Sequence, residues 1–315
     1  MSVINMHIPN VLDQLHNAGY QLSYLEGHLY DFDSFLDGMY PGIEKIDKTI
    51  CEKWIYMEDK YTPHSLQQRV STIKYLGKYL GSIGIKSYIP DYGIDLGPHR
   101  QPSLFDDNQL IRFFCAADHL PAHERSPNRE YIAPVLFRLI YACGLRNSEA
   151  CSIRMKDISL ENGKINIYHS KGDKDRVVYM DDSVLQMCRL FNDLYSSIVK
   201  DREYFFQISD TRTLTKYNVD DFFDLILNKS GLDKEFSNKP TVHDLRHLFA
   251  VNNMRKCIEN NENFENRIKY LSLYMGHKSV KETMYYLHMI VSLLPQYRKK
   301  MKSLTQGMET IYEEG

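Results

Sequence analysis

The segment "HDLRHLFA", from His243 to Ala250, predicts an α-helix with one apolar side and one basic side. Leu245 and the apolar residues three and four positions after it form the stripe that a buried helix needs. His243, Arg246 and His247 lie on another side, at the start of the helix, where free backbone N–H groups favour an anion. A solvated polar face is the alternative, although the rest of the helix is apolar enough to be buried. The segment therefore predicts an anion-binding site on a core helix.

A second candidate for anion binding is Arg146, in the segment "CGLRNSEACSI". Gly144 is typical of a helix end, and Asn147 or Ser148 is a suitable N-cap for a following helix. Glu149 then supports the turn from the first turn of that second helix. A surface arginine in a loop is the simplest interpretation of Arg146. The functional interpretation is a fixed guanidinium that binds two phosphate oxygens.

The stretch from residue 158 to residue 180 changes from helical spacing to alternation, which predicts a three-stranded antiparallel sheet. Its predicted turns are Asn162-Gly163 and Gly172-Asp173. Lys171 lies at the tip of the second hairpin. A lysine in a turn is usually only solvated, but from this position it can also reach a site and donate a proton. Lys174 is the second candidate for that role.

Two adjacent tyrosines, Tyr285 and Tyr286, follow a predicted helix end at Gly276-His277. Adjacent helical residues point about 100° apart, so only one of the pair can face a given site. Helical spacing does not choose between them. A core position with a hydrogen-bonded hydroxyl is the common role of such tyrosines.

Helical spacing also dominates both ends of the chain. Residues 20–40 and 63–84 predict two amphipathic helices, and from residue 182 onward the pattern is helical almost to the end. The stretch 60–90 holds basic residues and no acid, which predicts a surface for phosphate contacts. Its candidate binding residues are Arg69, Lys74, Lys78 and Lys86. A Gly- and Pro-rich stretch then predicts a linker within residues 86–102.

The 315-residue chain has a net charge of −2 and a pI near 6.6, which argues mildly against nucleic acid as its partner. Residues 1–99 hold 8 basic and 12 acidic residues, so any basic surface there is local. Six cysteines without a C-x-x-C pair predict reduced thiols, not a zinc site or disulfides. No apolar run is long enough to span a bilayer, and the N-terminus lacks a signal-peptide pattern, so we expect a cytoplasmic protein.

The order of these motifs resembles the tyrosine recombinase, or phage integrase, family. The matching segments are "GLRNSEA", "SKGDKDR", "HDLRHLFA", "MGH" and "TMYYLH", and the front part of the chain matches more loosely by its helical character. The resemblance implies a mainly α protein with a small three-stranded antiparallel sheet (α+β). It also implies four parts: a helical core-binding domain at 1–90, a linker at 91–102, a catalytic domain at 103–290, and a C-terminal segment at 291–315 that docks on a neighbouring subunit. The chain is similar to the Xer-like members, which have no arm-binding domain.

In this family a tyrosine attacks a DNA phosphodiester, forms a 3′-phosphotyrosine and releases a 5′-hydroxyl, without ATP or a metal cofactor. The family's nucleophile lies nine residues after the Gly-His histidine, which selects Tyr286 and leaves Tyr285 for packing. The implied catalytic set is Arg146, Lys171, His243, Arg246, His277 and Tyr286. The two arginines and His277 would stabilise the transition state. His243 would be a base or hydrogen-bond partner, and Lys171 would be the general acid.

The resemblance further implies double-stranded DNA with inverted-repeat core sites as the partner. It implies a homotetramer on two synapsed sites, with related recombinases or accessory proteins as additional partners and no membrane. The chain would be of bacterial or mobile-element origin. The residues expected to contact DNA are Arg69, Lys74, Lys78 and Lys86. A catalytically silent DNA-binding partner and a type IB-like topoisomerase are the alternatives, and a metal-dependent nuclease is more distant.

Overall fold

A computed structural model describes residue 2 and residues 4–20, 24–43, 45–98, 100–170, 174–277, 279–280, 282–284 and 286, without the side chains of residues 169, 170 and 174. The chain divides into two compact units, Met1–Arg100 and Gln101–Gly315. Within the described residues, no helix is both long enough and apolar enough to cross a membrane. The predicted docking segment 291–315 lies outside the described residues.

The described part of the first unit is built from four α-helices. They are α1 (Ile8–Asn17), α2 (Leu25–Met39), α3 (Lys48–Ile55) and α4 (Pro63–Ser82). Asp47 and Thr62 cap α3 and α4, because their side chains accept the backbone N–H groups of Ile50 and Ser65. The apolar sides of the helices meet in a core around Trp54, which is fully buried. The two helices that the sequence predicts in this unit form as α2 and α4.

Arg69 corrects the predicted set of DNA-binding residues, since its side chain is buried in the first unit at 3% exposure. The guanidinium donates from Nε and Nη2 to the carbonyl oxygen of Trp54, at 3.2 and 2.8 Å. It also pairs with Asp31 at 3.1 Å and lies 3.7 Å from the Trp54 ring centroid. Arg69 therefore holds α4 against α2 and α3 and is not available to a phosphate. The other predicted residues remain at least partly exposed: Lys74, Lys78 and Lys86.

The stretch after α4 packs against the first unit although its Gly and Pro content predicts a linker. The backbone N–H of Tyr88 donates to the Ile46 carbonyl at 3.0 Å, and that of Ile94 donates to Gln67 Oε1 at 2.7 Å. Gly77 on α4 allows this close approach. A Cβ atom at that position would lie 2.5 Å from the Tyr88 carbonyl oxygen.

Seven α-helices of the second unit are described from end to end. They are α5 (Asp107–Asp118), α6 (Arg129–Cys143), α7 (Asn147–Cys151), α8 (Asp182–Tyr195), α9 (Lys216–Ser230), α10 (Val242–Glu259) and α11 (Phe264–Met275). Asp106 caps α5 through a capping box with Gln109. The main core of this unit is rich in aromatic rings, and Phe113, Phe137 and Phe223 pack against one another at its centre.

The predicted three-stranded sheet is present in the second unit. Its antiparallel strands are β1 (Ile158–Ser159), β2 (Lys164–Ser170) and β3 (Lys174–Tyr179), in the order β1-β2-β3. Ile165 faces Val178 across β2 and β3, and both side chains are buried. The mainly α fold with a small antiparallel sheet is therefore confirmed.

A second, smaller hairpin interrupts the region that helical spacing predicts to be almost wholly helical. It consists of β4 (Gln207–Ser209) and β5 (Arg212–Thr213). The hydroxyl of Tyr195, at the end of α8, donates to the carbonyl oxygen of Gln207 at 2.8 Å. Strands of two or three residues are too short to show alternation, so the sequence pattern misses them.

Candidate active site

The turn after α6 holds Arg146 in place. Gly144 has a φ of +61°, and a Cβ atom there would lie 2.4 Å from the Phe249 ring, so only glycine fits this helix end. The N-cap of α7 is Arg146 itself and not one of the two residues after it. This differs from the predicted cap because the Glu149 carboxylate, from within the helix, accepts the backbone N–H of Arg146 at 2.8 Å.

The buried side of α10 carries Arg246, which is only 1% exposed. Its Nη1 donates to the Gly144 carbonyl at 2.6 Å, and its Nη2 donates to the Met275 carbonyl. The alternative of a solvated polar face is therefore wrong for Arg246, whereas His243 in the first turn of α10 is exposed. Burial and the neighbouring charge of Arg146 lower the pKa of Arg246 to about 10, so the side chain still carries its charge at pH 7.

Glu149 is the centre of an arginine cluster and is itself 5% exposed. Its carboxylate accepts Nη1 of Arg146 at 2.7 Å and both Nη atoms of Arg176 at 2.7 Å, and it lies 3.7 Å from Nη1 of Arg246. Burial raises the pKa of Glu149, but the hydrogen bonds and charge of Arg176 outweigh burial and bring the pKa down to about 2. Glu149 is therefore ionised at neutral pH and fixes the directions of three guanidinium groups.

Arg176 is a member of this cluster to which the sequence patterns assign no role. It lies on β3, where Nε donates to the carbonyl oxygen of Tyr274 at 2.8 Å while both Nη atoms bind Glu149. Its side chain thereby ties the sheet to α11 and to the Arg146 turn. The available signal is an arginine directly before Val177 and Val178 in a predicted strand, which is an unusual place for an unpaired charge.

His277 follows the end of α11 and lies beside the arginine cluster. Its Nδ1 is 2.7 Å from the Thr283 hydroxyl, and both side chains are buried. Burial and the positive charges of Arg246 and Arg146 lower the pKa of His277 to about 3. The imidazole is therefore neutral at pH 7 and can donate one hydrogen bond without carrying charge.

Tyr286 packs into the same site and is 3% exposed. Its hydroxyl lies 3.2 Å from Nδ1 of His247, on α10. Its ring is stacked on that of His277, with centroids 6.0 Å apart and an interplanar angle of 17°. The structure thus brings together four of the residues that the sequence singles out, Arg146, Arg246, His277 and Tyr286.

The charges at this site favour an anion. Three guanidinium groups converge on one carboxylate, and the nearby His277 is neutral, so the cluster keeps an excess of positive charge. Preorganised cations of this kind stabilise the extra negative charge that a phosphodiester gains during substitution at phosphorus. The phenol oxygen of Tyr286, at the edge of the same cluster, is a group that can act as a nucleophile.

Residues 106–291 match the sequence model of the phage integrase family. This match covers more than half of the chain. The chain belongs to the phage integrase family. The family that the motif order predicts is therefore confirmed, and with it the prediction of a tyrosine-type recombinase.

Named relatives agree with this family. A tyrosine recombinase of Agathobacter rectalis is 26% identical over 258 residues, which cover 79% of this chain and 79% of that protein. Tyrosine recombinase XerC of Lactobacillus leichmannii is 26% identical over 280 residues, 84% of this chain and 85% of XerC. The fold is similar to that of the XerH site-specific recombinase bound to its palindromic difH substrate, with a TM-score of 0.58, 19% identity, and coverage of 86% of this chain and 76% of that one.

Several residues that the integrase motifs single out lie outside the described residues, among them Lys171, Tyr285 and His288. The backbone of Lys174 is described as the start of β3, but its side chain is not. The roles predicted for the two lysines therefore stay predictions. His243 is described, and its ring lies edge-on to that of His247, with centroids 4.5 Å apart.

His247 also lies next to the site, at the Tyr286 hydroxyl, although the integrase motifs do not single it out. Helical spacing places it on the same side as His243 and Arg246, yet only the fold shows that its ring faces Tyr286. In the part of the chain that the structure describes, no group of three or more His, Cys, Asp or Glu side chains could hold a metal ion. The predicted independence of metal and ATP stays a prediction.

Proposed function

We propose that this protein is a site-specific DNA recombinase that cuts and rejoins DNA strands through a 3′-phosphotyrosine on Tyr286. The observation that carries the proposal is the position of the buried Tyr286 phenol, stacked on His277 at the edge of the Arg146 and Arg246 cluster. Membership of the phage integrase family and the tyrosine recombinases among its relatives support the same reaction.

In the proposed cleavage step, the Tyr286 oxygen attacks the phosphorus atom and the bond from phosphorus to the 5′-oxygen breaks. Arg146 and Arg246 bind the non-bridging oxygens, since their side chains are already held by Glu149 and by backbone carbonyls. With the Thr283 hydroxyl donating to Nδ1, the neutral His277 ring carries its proton on Nε2 and donates it to the same oxygens.

The remaining assignments come from the motifs. Lys171 is the proposed general acid that protonates the departing 5′-oxygen, and His243 is the proposed base or hydrogen-bond partner. Because the arginines supply the positive charge that a metal would otherwise supply, we propose a reaction that needs neither a metal nor ATP.

The proposed substrate is double-stranded DNA with inverted-repeat core sites. The XerH recombinase with the similar fold is bound to a palindromic site, which agrees with this choice. We propose that the first unit contacts the DNA backbone through Lys74, Lys78 and Lys86. We also propose that four copies assemble on two DNA sites in the cytoplasm. Related recombinases or accessory proteins are the proposed further partners. Docking of the segment 291–315 on a neighbouring copy belongs to the same proposal.

A nicked suicide substrate tests the chemistry. Cleavage on it releases a short DNA fragment, so religation is prevented and a covalent protein–DNA adduct accumulates that survives denaturing electrophoresis. We expect the wild type to form this adduct in EDTA, and Tyr286→Phe to form none while still binding the DNA. Tyr285→Phe is the matched control and should form the adduct at the wild-type level.

Three results would count against the proposal. No adduct from the wild type on its own site would support the catalytically silent partner. An adduct that maps to Tyr285 would reverse the choice of nucleophile. Relaxation of a supercoiled plasmid that lacks any specific site would favour the topoisomerase.

A further inference from the structure

We propose that His247 accepts the phenol proton of Tyr286 as the tyrosine attacks the DNA, and that His243, whose ring lies against His247, has the other role open to it, that of a hydrogen-bond partner. The inference rests on the proposed recombinase function and adds a residue to its chemistry. It starts from one contact: Nδ1 of His247 lies 3.2 Å from the Tyr286 hydroxyl oxygen, within hydrogen-bond distance. The two residues are 39 positions apart, so the contact is made by the fold and not by local sequence.

The contact is held from several sides. The ring of His247 lies 5.4 Å from the ring of Tyr286, measured between centroids, and 4.5 Å from that of His243. On its other side the Tyr286 ring is stacked on His277. Tyr286 is almost fully buried and His247 is half-buried. The phenol proton therefore has a route from a buried oxygen to a ring with access to solvent.

Three other groups near Tyr286 are poorly suited to take this proton. Arg146 and Arg246 are protonated at neutral pH and can only donate hydrogen bonds. His277 has its Nδ1 engaged by the Thr283 hydroxyl. A neutral His247 with its own proton on Nε2 offers an unprotonated Nδ1 to the phenol. The nearby guanidinium charges stabilise the phenolate that forms, which makes this transfer easier.

The O–H bond of Tyr286 breaks, its proton moves to Nδ1 of His247, and the oxygen lone pair forms the bond to phosphorus. The bond from phosphorus to the 5′-oxygen breaks, and that oxygen takes a proton from the general acid. During rejoining the 5′-hydroxyl returns its proton to the deprotonated general acid and attacks the phosphorus atom. The bond from phosphorus to the tyrosine oxygen then breaks, and His247 returns its proton to that oxygen.

The test compares two suicide substrates under single-turnover conditions. One has the natural 5′-oxygen at the scissile bond, and the other has sulfur in its place. A thiolate leaves without being protonated, so the sulfur substrate removes the need for a general acid but not the need to deprotonate the tyrosine. Lys171→Ala is the comparison, because it removes the proposed general acid. Its slow adduct formation should be restored by the sulfur substrate.

We expect His247→Leu to form the adduct at least about 100-fold more slowly than the wild type, which is the usual contribution of a general base. The loss should be equally large on the sulfur substrate, and DNA affinity should be unchanged. His247→Asn keeps a hydrogen-bonding oxygen near the Nδ1 position but cannot accept a proton, so it should be nearly as slow. His119→Leu, at an exposed position on the second unit, is the control for loss of a histidine and should match the wild type.

Two results would overturn the inference. A wild-type rate for His247→Asn would show that a hydrogen bond alone is needed. If the sulfur substrate restored the rate of adduct formation by His247→Leu, the residue would act in protonating the departing 5′-oxygen and not in deprotonating the tyrosine. Intact DNA binding and an unchanged unfolding midpoint exclude misfolding as the cause of a slow variant. The absence of any adduct from the wild type is a different result, because it would contradict the proposed function itself.

Discussion

Glu149 shows how much one carboxylate contributes to this site. It is buried, and it binds Arg146 and Arg176 while lying close to Arg246. Without it, two guanidinium groups that are almost completely buried would lose their nearest counter-charge. Loss of one partner of a buried ion pair is costly because it leaves the other charge desolvated.

We expect Glu149→Gln to lower the free energy of unfolding by about 3 kcal/mol at pH 7. The pKa of Glu149 is lowered from an ordinary 4.5 to about 2, so the ionised form stabilises the folded state above pH 4.5. This stabilisation is lost as the pH falls from 4.5 towards 2. The difference in stability between the wild type and Glu149→Gln should therefore shrink over that range. Urea unfolding followed by circular dichroism at several pH values measures it.

The control for this substitution is Glu203→Gln. Glu203 pairs with Arg154 at 3.6 Å, but its side chain is 62% exposed. Such a surface pair contributes about 1 kcal/mol or less, because water and salt screen it. A Glu149→Gln variant that is as stable as Glu203→Gln at pH 7 would contradict the structural role given to the arginine cluster.

Single residues also divide into those that the sequence reveals and those that it does not. Arg146, Arg246 and Tyr286 stand in motifs with recognisable spacing, and the structure brings them together. Arg176 and His247 belong to the same site, yet nothing next to them in the sequence indicates what they contact. Their partners lie 27 and 39 residues away, and only the packed fold brings these pairs together.

At the scale of secondary-structure elements, glycine at particular positions allows another segment of the chain to pack directly against a helix. Gly144 ends α6 with a positive φ and lies against the Phe249 ring, so the chain can turn directly into Arg146. Gly77 lies inside α4. The stretch after α4 crosses the helix so close to Gly77 that a Cβ atom would not fit between them. Helix ends of the first kind are visible in a sequence, whereas glycines of the second kind look like helix breakers.

We expect Gly77→Ala to destabilise the first unit by about 1–3 kcal/mol, the usual cost of overpacking. The new Cβ atom would lie 2.5 Å from the Tyr88 carbonyl oxygen and 2.8 Å from Ile89 Cγ1. Trp54 is the single tryptophan of the chain and lies in this unit, so its fluorescence reports the unfolding of the unit in urea.

Gly81→Ala is the matched control, since Gly81 lies on the same helix with nothing within 4 Å of a Cβ atom. There the substitution should stabilise the unit by up to about 1 kcal/mol through helix propensity. If Gly77→Ala and Gly81→Ala changed the urea unfolding followed by Trp54 fluorescence equally, the packing described for the stretch after α4 would be contradicted.

At the scale of the whole molecule, the overall charge conceals the local charges that matter. The chain has a net charge of −2, yet the second unit concentrates three arginines around one carboxylate. In the first unit, burial removes Arg69 from the basic surface and leaves Lys74, Lys78 and Lys86. A DNA-binding surface on this unit would therefore be small, and its contribution to affinity should be measurable one lysine at a time.

We expect Lys78→Gln and Lys86→Gln each to weaken DNA binding. Each should reduce the slope of log K against log salt concentration by about 0.9, the value for one lost phosphate contact. Binding isotherms at several salt concentrations measure that slope. Lys53→Gln is the control, because Lys53 is exposed on α3 of the same unit and was not predicted to bind DNA. A slope that neither Lys78→Gln nor Lys86→Gln changes would contradict the proposed DNA-binding surface.

The sequence by itself determined helices such as α2, α4 and α10, the helix end at Gly144, the three-stranded sheet and the order of the integrase motifs, because these depend on neighbours within a few residues. The tertiary structure alone decided that Arg69 is buried, that the two residues after Arg146 do not cap α7, and that a second hairpin follows α8. It also decided that Arg176 joins the Glu149 cluster and that His247 meets Tyr286. Each of these depends on the burial of a side chain or on a contact that backbone spacing does not encode, since both arise only when distant segments pack together.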